Sequence, residues 1–156
     1  MKDWRDDRIG SAINGTNPMV MAELTGSFVA FGDTQFLPGY CVILPKRKVP
    51  SLNDLEINER TSYLCDMSLV GDILLKVCSC QRVNYDILGN TDNFLHAHVF
   101  PRYLTENSKR LAKPVWLYDS SFWTDSKYQY DANKHGKIRQ AITEELKKIT
   151  QGEIDD

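Results

Sequence analysis

His96 and His98 stand one residue apart in NFLHAHVFPRY, residues 93–103 of a 156-residue chain that contains only three histidines. Side chains alternate faces along a strand, so this spacing puts both imidazoles on one side, roughly 7 Å apart at their Cα atoms. Phe94 and Phe100 share that face, while Leu95, Ala97 and Val99 form the small apolar underside expected beneath a helix. Four readings follow. The pair is idle on a half-exposed strand, grips a metal, works as general acid and base, or attacks phosphorus as a nucleophile with its neighbour holding the charged oxygens. The metal reading needs a third ligand. His135 is the remaining histidine, in a distant segment of solvated-helix character, so that ligand would be a carboxylate such as Asp33 or Asp92.

A rigid support for the pair can be traced through the rest of the chain. Met19–Leu24 and Ser27–Phe31 read as two strands joined by a tight Thr25-Gly26 turn. The turn-forming GDTQFLPG leads to YCVILP, a continuous apolar run of central-strand character. From residue 58 to 80 the period changes: Tyr63, Met67, Val70, Leu74 and Val77 make one helical stripe, with Asn58 as N-cap and Gly71 inside the pattern. RVNYDIL (82–88) and FLHAHVF (94–100) are strands around a GNTDN turn. A short helix is expected over Asp3 to Ile9, a short strand at Val115–Tyr118 and an otherwise irregular course from 104 to 130. The last helix runs from Ala132 to Thr150, with Ile138, Ile142, Leu146 and Ile149 on one side and a Glu144–Lys148 pair outside. The expected architecture is one α+β domain over 1–156, an antiparallel sheet with one long helix packed on it and a C-terminal helix.

Bulk properties narrow the function. The net charge of -2 supplies no global field for nucleic acid. The apolar runs are too short to span a bilayer, and the charged start MKDWRDDRIG lacks the apolar segment of a signal peptide, so a cytoplasmic protein is expected. Cys41, Cys65, Cys78 and Cys80 fit neither a zinc ribbon nor a disulfide framework and read as buried or half-buried free thiols.

LGNTDNFLHAHVFPRY resembles the signature of the histidine triad (HIT) proteins, nucleotide hydrolases and transferases whose His-x-His-x-His motif is followed by two apolar residues and often Pro-Arg. Counting back from Pro101-Arg102, His98 falls on the third histidine, His96 on the middle one and Phe94 on the first. FVAFGDTQFLPGYCVILPKRKV is similar to the family's upstream stretch, and RVNYDILGN looks like the strand and turn of its diadenosine polyphosphate hydrolase branch. The resemblance covers residues 19–103, and 104–156 aligns with nothing in the pattern.

By this resemblance the fold is HIT-like, His96 is the nucleophile at the α-phosphorus of a nucleotide, and His98 contacts the phosphate. Asn90, Thr91 and Asn84 lie near phosphate oxygens, Asp33 at the ribose hydroxyls and Phe31 at the base-binding wall. Turn chemistry explains Asn84, Asn90 and Thr91 equally well, and an Asx-turn explains Asp33. The implied activity is hydrolysis of a dinucleoside polyphosphate, such as diadenosine tetraphosphate, or of a nucleoside phosphoramidate, through a nucleotidyl-histidine. The implied partners are the nucleotide and a second copy of the chain in a homodimer, with neither nucleic acid nor membrane. No cofactor is required, and magnesium is admitted as a screen for the phosphates. Lys48 stands where the family often has histidine, and no structural metal is expected. Phe94 turns the triad into a dyad. That leaves open a non-catalytic nucleotide sensor, and transfer to an acceptor other than water is a third class. The aromatic WLYDSSFWTDSKYQY stretch suits a dimer contact, a base-binding wall or burial in the chain's own body.

Overall fold

In the computed structural model, which describes residues 3–152, five antiparallel strands form one sheet in the order β1-β2-β3-β5-β4. The strands are β1 (Val20–Glu23), β2 (Ser27–Phe31), β3 (Cys41–Pro45), β4 (Arg82–Ile87) and β5 (Ala97–Arg102). The apolar CVILP run lies third, paired on both sides, which is why it carries apolar side chains on both faces. β5 begins at Ala97, so Phe94, Leu95 and His96 lead into the regular ladder instead of belonging to it. Leu95 instead donates its backbone N–H to the Val49 carbonyl at 2.8 Å.

Helix α2 (Ile57–Val77) lies across one sheet face. Its stripe is buried as its periodicity requires: Tyr63, Val70 and Leu74 are fully buried and pack with Val29, Ile43, Ala97 and Val99. Each such side chain is worth roughly 1.5–3 kcal/mol in apolar transfer. The helix starts one residue before Asn58: Glu56 is the N-cap, in a capping box with Glu59. Gly71 makes room for the Tyr85 side chain of β4, since a Cβ there would stand 1.8 Å from its hydroxyl. α5 (Ala132–Thr150) runs beside α2 and β1, with Ile142 and Leu146 buried. Its ion pair joins Lys148 to Glu145 at 3.0 Å, one residue from the expected Glu144, and Lys76 of α2 reaches the same carboxylate.

The opposite face is covered in two separate pieces. At one end α1 (Arg8–Asn14) packs Ile9 and Ala12 on Phe28 and Leu44. A single 3-10 turn, Trp4–Asp7, precedes it, so the N-terminal helix continues well past Ile9 into a segment that reads as turn-rich. At the other end Leu37, Tyr40, Phe100 and Val115 form a second cluster beneath the 104–130 segment. That segment contains the short helices α3 (Ser108–Leu111) and α4 (Ser121–Thr124), and a 3-10 turn at Val115–Leu117 replaces the expected strand. Arg102 ties it down. This guanidinium, with its side chain 3% exposed, pairs with Glu106 and donates to the carbonyls of Arg110 and Lys113.

Among the cysteines, Cys41 and Cys78 are buried, Cys80 is half-buried and Cys65 is exposed, the last against expectation because it lies off the α2 stripe.

Candidate functional site

Between the two covers the sheet face stays open, and the histidines lie in that gap. Val42 of β3 is the ladder partner of His98, and Asp86 of β4 flanks it on the other side. The cleft has a volume of about 210 Å³; His96, His98, Tyr40, Val42 and Phe94 form its sheet side, and Arg8, Asp33 and Trp123 close it. The His96 and His98 rings meet edge to face with centroids 4.9 Å apart. Alternation therefore does what the sequence implies, with Leu95, Ala97 and Val99 packed under α2.

Each imidazole is oriented by one partner. Nδ1 of His96 lies 2.8 Å from the Phe94 carbonyl. A carbonyl only accepts, so Nδ1 carries the proton and the neutral ring keeps its lone pair on Nε2. Nδ1 of His98 shares a 2.6 Å hydrogen bond with the Tyr40 hydroxyl. Burial, with His96 close by, lowers the His98 pKa to about 3, so this ring is neutral at physiological pH. Burial also raises the Tyr40 phenol, which keeps its proton. Assigning the phenol as donor puts the His98 proton on Nε2.

The remaining expected residues divide. Asp33 lines the cleft, where its carboxylate is engaged by Arg8 at 2.7 and 3.3 Å. Phe31 does not line it. Its ladder partners run Phe31–Cys41–Val99, the helix-covered face of the sheet, and its ring packs in the core against Tyr130. Asn84 is on the histidine face opposite Phe100, but its amide oxygen accepts from Arg102 at 2.7 Å and it borders a neighbouring depression. Asn90 and Thr91 are exposed in the turn before the histidines, and it is Asp92 that reaches the cleft. Lys48 is exposed and pairs with Asp7 at 3.5 Å. His135 lies apart at the start of α5, its Nδ1 accepting from the Asp131 backbone. Among the described residues no group of three or more His, Cys, Asp or Glu side chains could hold a metal ion. No helix among them is long and apolar enough to cross a membrane.

Three contributors escape motif reading. Tyr40 was accessible in principle, because it precedes Val42 by two and so shares the face of His98. Arg8 comes from a segment outside the motif, and Trp123 from the unaligned one. Trp123 stacks on Trp116 at 4.8 Å, and Trp116 in turn sets its edge on the His98 ring at 4.6 Å. The aromatic segment is thus packed on this chain's own sheet.

No family model matches the chain. It is 28% identical over 140 residues to the asymmetrical bis(5'-nucleosyl)-tetraphosphatase of Schizosaccharomyces pombe, an alignment covering 82% of this chain and 76% of that protein. Among solved structures, a histidine triad protein of Sinorhizobium meliloti superposes with a TM-score of 0.71 at 19% identity, covering 94% of this chain and 96% of its own. One from Bradyrhizobium japonicum gives 0.69 at 20% identity, covering 81% and 89%. The histidine motif, the sheet-and-helix fold and these relatives agree: the chain has the fold of the histidine triad proteins and is similar in sequence to a bis(5'-nucleosyl)-tetraphosphatase.

Proposed function

We propose that the protein hydrolyses a nucleotide at its α-phosphate, with a dinucleoside polyphosphate of the diadenosine tetraphosphate kind as substrate. The observation that carries this reading is the pair of oppositely polarised imidazoles in one cleft: His96 with a free Nε2 lone pair and neutral His98 with an Nε2–H to donate. Attack by His96 Nε2 forms a P–N bond and breaks the P–O bond to the leaving phosphate, which departs with the electron pair. His98 donates to the phosphoryl oxygens as charge builds on them. Water then displaces the imidazole, losing its proton to solvent, and releases the nucleoside monophosphate. The tetraphosphatase activity named for the yeast relative supports this choice of substrate.

Charge in the cleft adds a requirement. Arg8 is the one cationic side chain among the lining residues, against Asp33 and Asp92. A polyphosphate must therefore draw Arg8 from Asp33 or bring cations with it. Magnesium suits the second task, held mainly by phosphate oxygens and water because the cleft offers only these two carboxylates. Departure of Arg8 would free Asp33 to accept from ribose hydroxyls. The same reading carries a homodimer, which light scattering on the full chain would test.

Incubation with diadenosine tetraphosphate and magnesium should release nucleoside monophosphate. His96→Ala should lower kcat by at least about a thousandfold. Equal turnover by the two proteins would remove His96 as nucleophile. Phe94 favours a second reading, a nucleotide sensor, because its ring occupies the first triad position 4.6 Å from His96. Tight nucleotide binding without product at any magnesium concentration would establish the sensor. Product formed only when an alcohol or amine acceptor is added would establish a transferase.

A further inference from the structure

The histidine cleft has a larger neighbour. A space of about 890 Å³ opens beside it, bordered by Phe36, Tyr118 and Phe122 and by Lys109, Arg110 and Lys113. The Phe36 ring meets the Trp123 indole edge-on at 5.0 Å, and Trp123 lines the histidine cleft, so one aromatic layer divides the two spaces.

The lining has a definite charge. Glu106 is the one acidic side chain in it, and its carboxylate is already matched: it pairs with buried Arg102 at 3.1 Å and accepts from the Tyr118 hydroxyl at 2.6 Å. The three cations at the rim are thus left without a balancing acid. Arg110 lies over the Tyr118 ring and donates to the Leu117 carbonyl. Among the described residues, the Lys109 and Lys113 ammonium groups make no ion pair. A positive cluster on a chain of net charge -2 is a local feature and not a sample of the whole surface.

Cations beside half-buried aromatic rings that border an open space recognise one ligand chemistry, a flat ring carrying phosphate. The volume falls within the roughly 300–1,000 Å³ typical of small-molecule sites. An extended nucleic acid would need a basic track beyond this hollow, which the acidic chain does not supply. We propose that the hollow is a second binding site, separate from the histidine cleft, for a phosphorylated aromatic ligand of mononucleotide size. The ring would lie against Phe36, Tyr118 and Phe122, with its phosphate between Lys109 and Lys113.

Adenosine monophosphate is a suitable probe because it holds no anhydride to hydrolyse. Calorimetric titration of wild type should show two sites. In Lys109→Glu/Lys113→Glu, whose exposed positions leave the core intact, one site should persist and the other weaken by at least about tenfold. Photolabelling with 8-azido-adenosine monophosphate should mark a peptide containing Tyr118 or Phe122 in wild type and miss it in the double variant. Circular dichroism on both proteins checks the fold. Two unchanged sites in the double variant, or label confined to the peptide around His96, would overturn the proposal. Label at Tyr118 or Phe122 alone, lost in the double variant, would support the hollow while counting against the histidine cleft as a nucleotide site.

Discussion

The Tyr40 hydroxyl lies 2.6 Å from Nδ1 of His98, and the two rings are within 18° of parallel. This contact fixes which nitrogen of His98 faces the cleft as a donor. Tyr40→Phe leaves Nδ1 without its partner and lets both tautomers form. We expect kcat to fall about tenfold with KM little changed, since orientation is lost while the lining is kept. Steady-state kinetics on diadenosine tetraphosphate would check this, and an unchanged kcat would show that His98 needs no external orientation.

The same burial makes a stability prediction. His98 titrates at about 3 in the folded protein against 6.5 for the ordinary group, so below pH 6.5 the unfolded chain binds the extra proton. Stability rises with pH wherever the unfolded state holds more protons. The His98 contribution is therefore complete above pH 6.5 and lost progressively as pH falls toward 3. Thermal melts of wild type and His98→Gln should converge between neutral pH and about pH 4.5 as wild type loses this contribution. Parallel melting curves across that range would disprove it.

Phe94 accepts from His96 Nδ1 through its backbone carbonyl, while its ring lies 4.6 Å from the imidazole. Phe94→His keeps that carbonyl, so hydrolysis should persist to within about tenfold. The ring, however, packs against the Ile9–Leu44 cluster, and an imidazole there leaves polar atoms against apolar neighbours. We expect a loss of about 1–3 kcal/mol in chemical denaturation. A large rise in kcat instead would mean that the missing first histidine limits the chemistry.

Arg8→Gln removes the positive charge of the cleft while keeping a polar side chain. Affinity should fall more for nucleoside triphosphate than for monophosphate, because the loss scales with the phosphate charge being matched. Binding isotherms in the His96→Ala background measure this without turnover. Equal losses for both ligands would place Arg8 outside the phosphate path.

Glu106 and Arg102 form an ion pair with side chains 4% and 3% exposed. Glu106→Ala leaves the guanidinium buried without its acid, at a cost of about 3–5 kcal/mol. Denaturant midpoints would show it, and hydrogen exchange should rise first across 104–118.

Much of this arrangement was legible in residue order, and the reason differs by element. The α2 stripe and the His96/His98 alternation are local consequences of period, so they survive into the structure. Phe31 shows where a motif position is not enough: its register with Cys41 and Val99 puts it under α2, which only the strand pairing reveals. The helix start moved because Glu56 and Glu59 cap each other, a reciprocal contact that outweighs Asn58 alone. Residues 104–130 were opaque because they are held by long-range contacts with no periodic trace, the buried Arg102 guanidinium near Glu106 and Arg110 and the packing of Phe36 on Trp123 further on. Arg8 is the same case on the other side, reaching Asp33 across 25 residues of sequence.

The gap between the two covers has a consequence for how such a site could change. His98 belongs to the central sheet and His96 leads directly into it, whereas the width of the opening belongs to α1 on one flank and the 104–130 segment on the other. Lengthening or shortening either flank would alter what the cleft admits while leaving the strand that carries His98 in place. The histidines and the width of the opening are thereby housed in different stretches of chain.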